Sequence, residues 1–184
     1  HLRAYRSAGF NVAALCDVQV QRAQERADEF FPDARVTDDY RQLLRDDSIE
    51  VVDIATHPAD RVQLIEAAIL AGKHILSQKP FVLDLDAGER LVDLADKHNV
   101  YLAVNQNGRW APHFSYARVA ANSGLLGDVF AAHLGCHWDH SWVAGTEFEK
   151  IKHLILYDYA IHWFDIVRCF FSKQTVRNVF ATTA

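Results

Sequence analysis

Five short apolar runs, set among stretches of helical periodicity, fill the first 105 residues, and this alternation constrains the fold more than any other feature. The runs are Asn11 to Asp17, a piece opening at Val36, Val51 to Ala55, His74 to Ser77 and Tyr101 to Asn105. Helical stretches are His1 to Ala8, Gln19 to Phe30, Tyr40 to Arg45 and Asp60 to Leu70. A further helix opens at the capping-box pair Asp86 and Glu89 and runs to Lys97. Ala23, Ala27 and Phe30 share one helical face, and Gly72 is a stop signal for the helix ending at Leu70. Strands that alternate with helices pair in parallel, because each crossover needs a helix to bring the chain back to the same edge. An α/β fold with a parallel sheet is therefore expected.

After Asn105 the texture changes. A helix is expected near Pro112 to Asn122, then a GLLG turn at Gly124 to Gly127 and a long extended run from Val129 to about His140. Leu154 to Phe171 is apolar all round, which predicts a mostly buried helix, and Val176 to Ala181 reads as a strand. The expected domains are 1–105 and 106–184, the second an α+β domain with a large, mostly antiparallel sheet. The chain begins inside a helix and its last strand runs to the terminus. A first strand is expected upstream of His1, and the second sheet is expected to be incomplete.

With 184 residues, half of them hydrophobic, the chain can bury a core without disulfides or metals. The net charge of −5, with scattered positive residues, argues against nucleic acid or an anionic membrane as partner. No apolar run approaches the ~20 residues that cross a bilayer. Cys16, Cys136 and Cys169 are odd in number and lack CxxC spacing, which argues against a disulfide framework or zinc knuckle and fits the cytoplasm.

Chemistry-bearing residues gather at the carboxyl ends of the expected strands, where open parallel sheets bind ligands. Asp17 ends the first strand before a helix carrying Arg22 in its first turns. In a dinucleotide fold an acidic residue there hydrogen-bonds the adenosine ribose, about 20 residues past a glycine loop. That count places the loop upstream of His1, and none of the eight glycines here forms a GxGxxG. A helix-capping role for Asp17 is the alternative. Thr56-His57-Pro58 follows the third strand, Gly72-Lys73-His74 leads into the fourth, Gln78-Lys79-Pro80 follows it, and Asn105-Gln106-Asn107-Gly108-Arg109 follows the fifth.

In this order and spacing the motifs resemble the glucose-fructose oxidoreductase, inositol dehydrogenase and rhizopine-catabolism (Gfo/Idh/MocA) family of nicotinamide-dependent oxidoreductases, along the whole chain. The resemblance implies a Rossmann-type domain whose cofactor contacts are Asp17, Arg22, Thr56, His57, Pro58, Gln78 and Asn107. It also implies a helical Asp-x-x-x-His-x-x-Asp motif, here Asp158, His162 and Asp165, whose i, i+4, i+7 spacing puts all three on one helix face. A structural hydrogen-bond network inside the core is the other reading of that stripe. Gln78 stands where the family has glutamate, and Arg61 where many members have histidine.

The implied reaction is hydride transfer between a nicotinamide cofactor and a sugar, polyol or inositol-like substrate. His162 is the first candidate for the proton, with Asp158 orienting it or taking the proton and Lys79 holding the reacting oxygen. Asp17 would repel a 2′-phosphate, favouring NAD over NADP, while the nearby Arg22 pulls the other way. Arg109, Trp110, His137 and Trp142 are the candidate substrate contacts, and homo-oligomerisation through the second-domain sheet is expected. The stretch His133 to Trp142 would suit zinc as a helix, since His133, His137 and His140 would share a face. As an extended strand it sends His140 to the opposite face, and Trp138 or Trp142 could stack on a sugar while His137 bonds a hydroxyl. No metal site is expected. A sensor that binds nucleotide and sugar without turnover is the alternative function, and Gln78 is the residue that keeps it open.

Overall fold

A computed structural model describes residues 1–182. The chain divides into two units, His1–Val104 and Asn105–Ala184. The first unit contains helix α1 (Leu2–Ala8), strand β1 (Ala14–Cys16), helix α2 (Val20–Phe30), strand β2 (Arg35–Thr37) and helix α3 (Tyr40–Leu44). There follow strand β3 (Val51–Ile54), helix α4 (Pro58–Leu70), strand β4 (His74–Gln78), helix α5 (Leu85–Lys97) and strand β5 (Leu102–Asn105), whose last residue opens the second unit.

The observed pairings are parallel. Ala14 lies opposite Arg35 and Cys16 opposite Thr37, while Val51 lies opposite His74 and Ile54 opposite Ser77. β5 flanks β4 on its other side, and the Ile75 amide donates to the Tyr101 carbonyl at 2.8 Å. The strands form two pieces, β1-β2 and β3-β4-β5. Helix α1 touches both halves, because Arg6 donates to the Glu29 carbonyl in α2 and Tyr5 to the Asp53 carboxylate in β3. This is a Rossmann-type α/β arrangement.

The core of the unit is Ile54, Ile65, Ala68, Ile69, Ile75, Leu91, Ala95 and Val100. Ile65, Ala68 and Ile69 recur at helical spacing along α4, so one face of the helix closes over β3 and β4. Each such aliphatic side chain contributes about 1.5–3 kcal/mol on burial, and α5 adds Leu91 and Ala95 to the same cluster. Gly88 of α5 is needed for close approach: a Cβ there would meet Val82 Cγ2 at 2.8 Å.

Several boundaries differ from the sequence reading, and three of them have a clear physical reason. α4 begins at Pro58 rather than Asp60, since proline is preorganised for the first helical position and loses no useful donor there. The cap of α5 is Asp84, whose carboxylate accepts from the Asp86 and Ala87 amides, so Asp86 lies in the first turn instead of opening the helix. The first strand keeps only Ala14–Cys16 of the run expected from Asn11, because β2 offers a three-residue edge.

The second unit holds helix α6 (Pro112–Asn122), helix α7 (Ala160–Phe170) and short turns at Asn107–Trp110, Ser141–Val143, Glu147–Lys150 and Ile155–Tyr159. Among the described residues no strand follows Asn105, so the expected antiparallel sheet, with strands at 129–140 and 176–181, is not formed. Strand geometry is stable only where a neighbouring edge satisfies the backbone N–H and C=O groups, and neither segment has one. The helix expected to be buried from Leu154 to Phe171 opens as a π turn at Ile155–Tyr159 and continues as α7. Only Ala160 and Ile166 of α7 are buried, and Phe164 is 55% exposed. A helix apolar all round needs neighbours all round, and here α6 and the 107–110 turn cover only part of it. No helix among the described residues is long and apolar enough to cross a membrane.

Candidate active site

In the first unit the site residues occupy turns at the carboxyl ends of strands. Asp17 follows β1, and its carboxylate accepts from the Gln19 amide at 2.8 Å. Gln19 is the residue that caps α2, without a side-chain bond, so Asp17 orders the strand-to-helix turn two residues before the cap. Arg22 is exposed in the first turn of α2. After β3, Thr56 is exposed, His57 is the N-cap of α4 with Nδ1 accepting from the Ala59 amide at 3.4 Å, and Pro58 is buried. At the end of β4 the Gln78 side-chain carbonyl accepts from the Lys79 amide at 2.7 Å, and the Lys79–Pro80 peptide is cis.

Arg61 joins these two turns. It lies on the buried stripe of α4, one turn before Ile65, and is 2% exposed. One guanidinium nitrogen donates to the Gln78 carbonyl at 2.6 Å and to the Pro80 carbonyl, and the other donates to the Thr56 carbonyl at 2.6 Å. Burial pushes the Arg61 pKa down from its ordinary value. The backbone on both sides of Lys79 is thereby fixed to the turn after β3. Sequence reasoning noticed Arg61 only as a departure from a family pattern. Its signal was a charged residue in phase with the apolar positions Pro58, Ile65, Ala68 and Ile69.

In the second unit the 107–110 turn packs on α7. The Gln106 amide nitrogen lies 3.3 Å from the Ile161 carbonyl and 3.3 Å from His162 Nδ1. A Cβ at Gly108 would stand 2.6 Å from the same Nδ1, so only glycine permits this approach. Arg109, expected at the substrate, makes a two-pronged ion pair with Asp165, its Nε donating at 2.8 Å and a terminal nitrogen donating to the other oxygen. That pairing raises the Arg109 pKa. Two-pronged pairs fix orientation as well as charge. Asn107 is exposed in the turn, and the Trp110 ring lies under the Arg118 guanidinium at 5.4 Å. Asp158 sits in the π turn before α7.

The tryptophan- and histidine-rich stretch forms an aromatic group. Tyr159 meets Trp138 at 5.0 Å and His140 at 4.6 Å, both edge to face, and Trp142 meets Phe148 at 5.7 Å. His140 sits among these rings with its Nε2 buried and without a hydrogen-bond partner, whereas His137, expected to face the substrate, is exposed. Burial, with the Asp158 charge behind it, raises the Tyr159 pKa. Among the described residues no three His, Cys, Asp or Glu side chains gather as a metal site.

Residues 1–106 match the model of an oxidoreductase family with an NAD-binding Rossmann fold. The chain is 30% identical over 177 residues to D-apiose dehydrogenase of Paraburkholderia graminis, covering 95% of this chain and 47% of that protein. It is 28% identical to the NADP(+) scyllo-inositol 2-dehydrogenase of Bacillus subtilis, covering 82% and 43%. A solved structure from Sinorhizobium meliloti 1021 superimposes with a TM-score of 0.78 at 25% identity, over 94% of this chain and 51% of that one. The chain thus spans about half the length of these relatives.

Proposed function

The chain belongs to the Gfo/Idh/MocA oxidoreductase family, and on that premise we propose that it transfers a hydride between a nicotinamide cofactor and a sugar, polyol or inositol-like substrate. The observation that carries this reading is the placement of Asp17, Thr56 to Pro58 and Gln78-Lys79 at the carboxyl ends of parallel strands, the last two turns tied by Arg61.

The donor set fits a dinucleotide. The Asp17 carboxylate, held by its turn at the sheet edge, would accept from ribose hydroxyls, and Thr56, His57, Pro58, Gln78 and Asn107 would line the remaining edge. When bound, the nicotinamide supplies the hydride donor or acceptor. NAD is favoured, because a carboxylate at Asp17 repels a 2′-phosphate; exposed Arg22 is the group that would favour NADP, the cofactor in the name of one relative.

An alcohol that loses hydride must also lose its hydroxyl proton, so polar groups must hold the reacting oxygen and receive that proton. Lys79, Asp158 and His162 are the residues proposed for these roles, as the family resemblance implies. Trp110, Trp142, His137 and Arg109 are the proposed substrate contacts, with Trp138 and Trp142 offering faces to a sugar ring and Arg109 bound to Asp165. Reduced Cys16, Cys136 and Cys169 fit a cytoplasmic setting. Exposed Phe130 and Phe180 fit association of copies through the second unit.

The test is reduced-cofactor absorbance on adding polyols and aldoses to the intact protein. Lys79→Ala and His162→Ala are expected to cut turnover by about 10²-fold or more, and His162→Ala to leave NAD affinity nearly unchanged. Asp17→Ala is expected to weaken NAD binding and narrow the preference over NADP. Full turnover in both His162→Ala and Lys79→Ala would remove support for this site.

A further inference from the structure

We propose that His1 is a positioning residue for the Gln78-Lys79 turn, holding the Gln78 side chain as a neutral imidazole with its proton on Nδ1, and that a glutamate at 78 would be matched by a second proton on the same ring. The inference deepens the proposed function and rests on it only for the claim that this turn meets the cofactor. The donors and acceptors can be followed from one end. The Lys79 backbone amide can only donate, and it donates to the Gln78 side-chain carbonyl at 2.7 Å, so the other polar atom of that side chain is the NH2. This nitrogen stands 3.1 Å from His1 Nε2, which must therefore offer a lone pair. A neutral ring then carries its proton on Nδ1, and Nδ1 stands 2.5 Å from Asp53 Oδ2. The Tyr5 hydroxyl donates to the same oxygen at 2.8 Å. Two donors converge on Oδ2, so that oxygen holds no proton.

The other states of the ring fail on the same contacts. A proton on Nε2, alone or as a second one, would point at the hydrogens of the Gln78 NH2. A ring protonated on Nε2 alone would also set a lone pair against the Asp53 carboxylate. The ionisable groups about the ring are Asp53 of β3, Tyr5 of α1, whose ring centre lies 6.1 Å away edge to face, and the amino group of residue 1, whose charge acts on Asp53. Burial raises the Asp53 pKa, and the Tyr5 bond opposes that push. The Nδ1 proton of His1 is a further donor to that carboxylate.

A glutamate at 78 would still accept from the Lys79 amide with one oxygen and would turn the other toward His1 Nε2. Acceptors facing both ring nitrogens require a proton on each. The negative charge gained at 78 is then matched by a positive charge on the imidazole, and the net charge of the cluster does not change. Gln78, the residue that keeps a sensor without turnover open, therefore removes no net charge from the turn, because the ring holds one proton fewer in its presence.

The readout is a long-range 1H–15N correlation spectrum of the intact protein labelled with 15N-histidine, with His1 assigned by its loss in His1→Phe. At pH 7 the wild-type ring is expected to be protonated on Nδ1 only. In Gln78→Glu both nitrogens should carry protons, with a titration midpoint at least about one pH unit above that of the wild type, a tenfold gain in proton affinity. A wild-type ring protonated on Nε2, or on both nitrogens, overturns the proposal without any variant, and a midpoint that does not rise in Gln78→Glu overturns it equally. His1→Phe keeps a ring and removes both nitrogens, so it releases Gln78 and should weaken NAD binding about threefold to tenfold by titration calorimetry; unchanged affinity overturns the positioning role. The spectra need neither cofactor nor turnover. A protein with the expected protonation states that binds no dinucleotide would count against the proposed function and leave the His1 assignment standing.

Discussion

Replacing Arg61 with Met keeps most of the side-chain length and removes every donor. Three carbonyls lose their partner: Thr56, Gln78 and Pro80. Hydrogen bonds from a charged donor contribute about 1.5–3 kcal/mol each, so three sum to roughly 4.5–9 kcal/mol of gross interaction. Against this stands the desolvation of a cation that is 2% exposed, a cost of several kcal/mol recovered when the charge is removed. Water can also reach part of the opened turn, because Thr56 is exposed and Lys79 half-buried. The net expectation is a loss of about 3 kcal/mol, roughly 10²-fold in the folding equilibrium. Arg61→Lys keeps the charge but concentrates its donors on one atom, which cannot span carbonyls on two separate turns, and should lose about half as much. The four tryptophans, Trp110, Trp138, Trp142 and Trp163, all lie beyond Val104, so their fluorescence reports on the second unit. Urea unfolding of the intact protein should instead be followed by hydrogen exchange at β3 and β4. A loss below about 1 kcal/mol in Arg61→Met would refute the claim that this guanidinium holds the two turns together.

Asp46 gives a pH dependence of known sign. Its carboxylate accepts from the Ser48 hydroxyl and amide and pairs with Arg35, which lowers its pKa to about 2 from the ordinary 3.8. A depressed folded pKa contributes stability that is present above the unfolded value and lost as pH falls toward 2. Asp46→Asn should therefore flatten the acid limb of the unfolding curve between about pH 4 and 2, and an unaltered limb would contradict the assignment. Asp84→Ala removes two hydrogen bonds at the start of α5 and should cost about 1 kcal/mol in thermal unfolding, whereas Asp86→Ala, in the first turn, should cost less.

The first unit was legible because its information is local. Val51 to Ile54 and His74 to Gln78 are apolar, β-branched or bounded by turns, and each pairs with a neighbour set by the intervening helix, so periodicity alone orders them. The missed details are ones in which two residues satisfy the same rule. Asp84 and Asp86 both have the chemistry of a cap, and only backbone geometry chooses between them. The second unit was less legible for the opposite reason. The runs at 129–140 and 176–181 have strand-like composition, but a strand is a property of a pair of edges, and no periodicity within one run supplies the other edge.

The site divides along the same line. Asp17, Lys79 and His162 are named as candidates because their motifs, taken together in order and spacing, resemble those of one family. Gln106 and Arg109 act through partners 56 residues away, and Arg61 through carbonyls 5 to 19 residues away on two separate turns, so no short window contains the whole set. The stripe Asp158, His162, Asp165 shows what this costs. Read at 100° per residue it is one polar face, suggesting a single network. Asp158, however, lies in a π turn, where each residue advances the chain by a smaller angle, and α-helical geometry begins only at Ala160. Asp165 is spent on Arg109 and His162 Nδ1 on Gln106, so the two α7 members are tied to the 107–110 segment and its leading residue by separate bonds. A motif that looks like one unit in sequence is thus a structural anchor, an oriented imidazole and a carboxylate on a differently wound turn. Substitutions at the three positions should accordingly affect stability and turnover in different proportions.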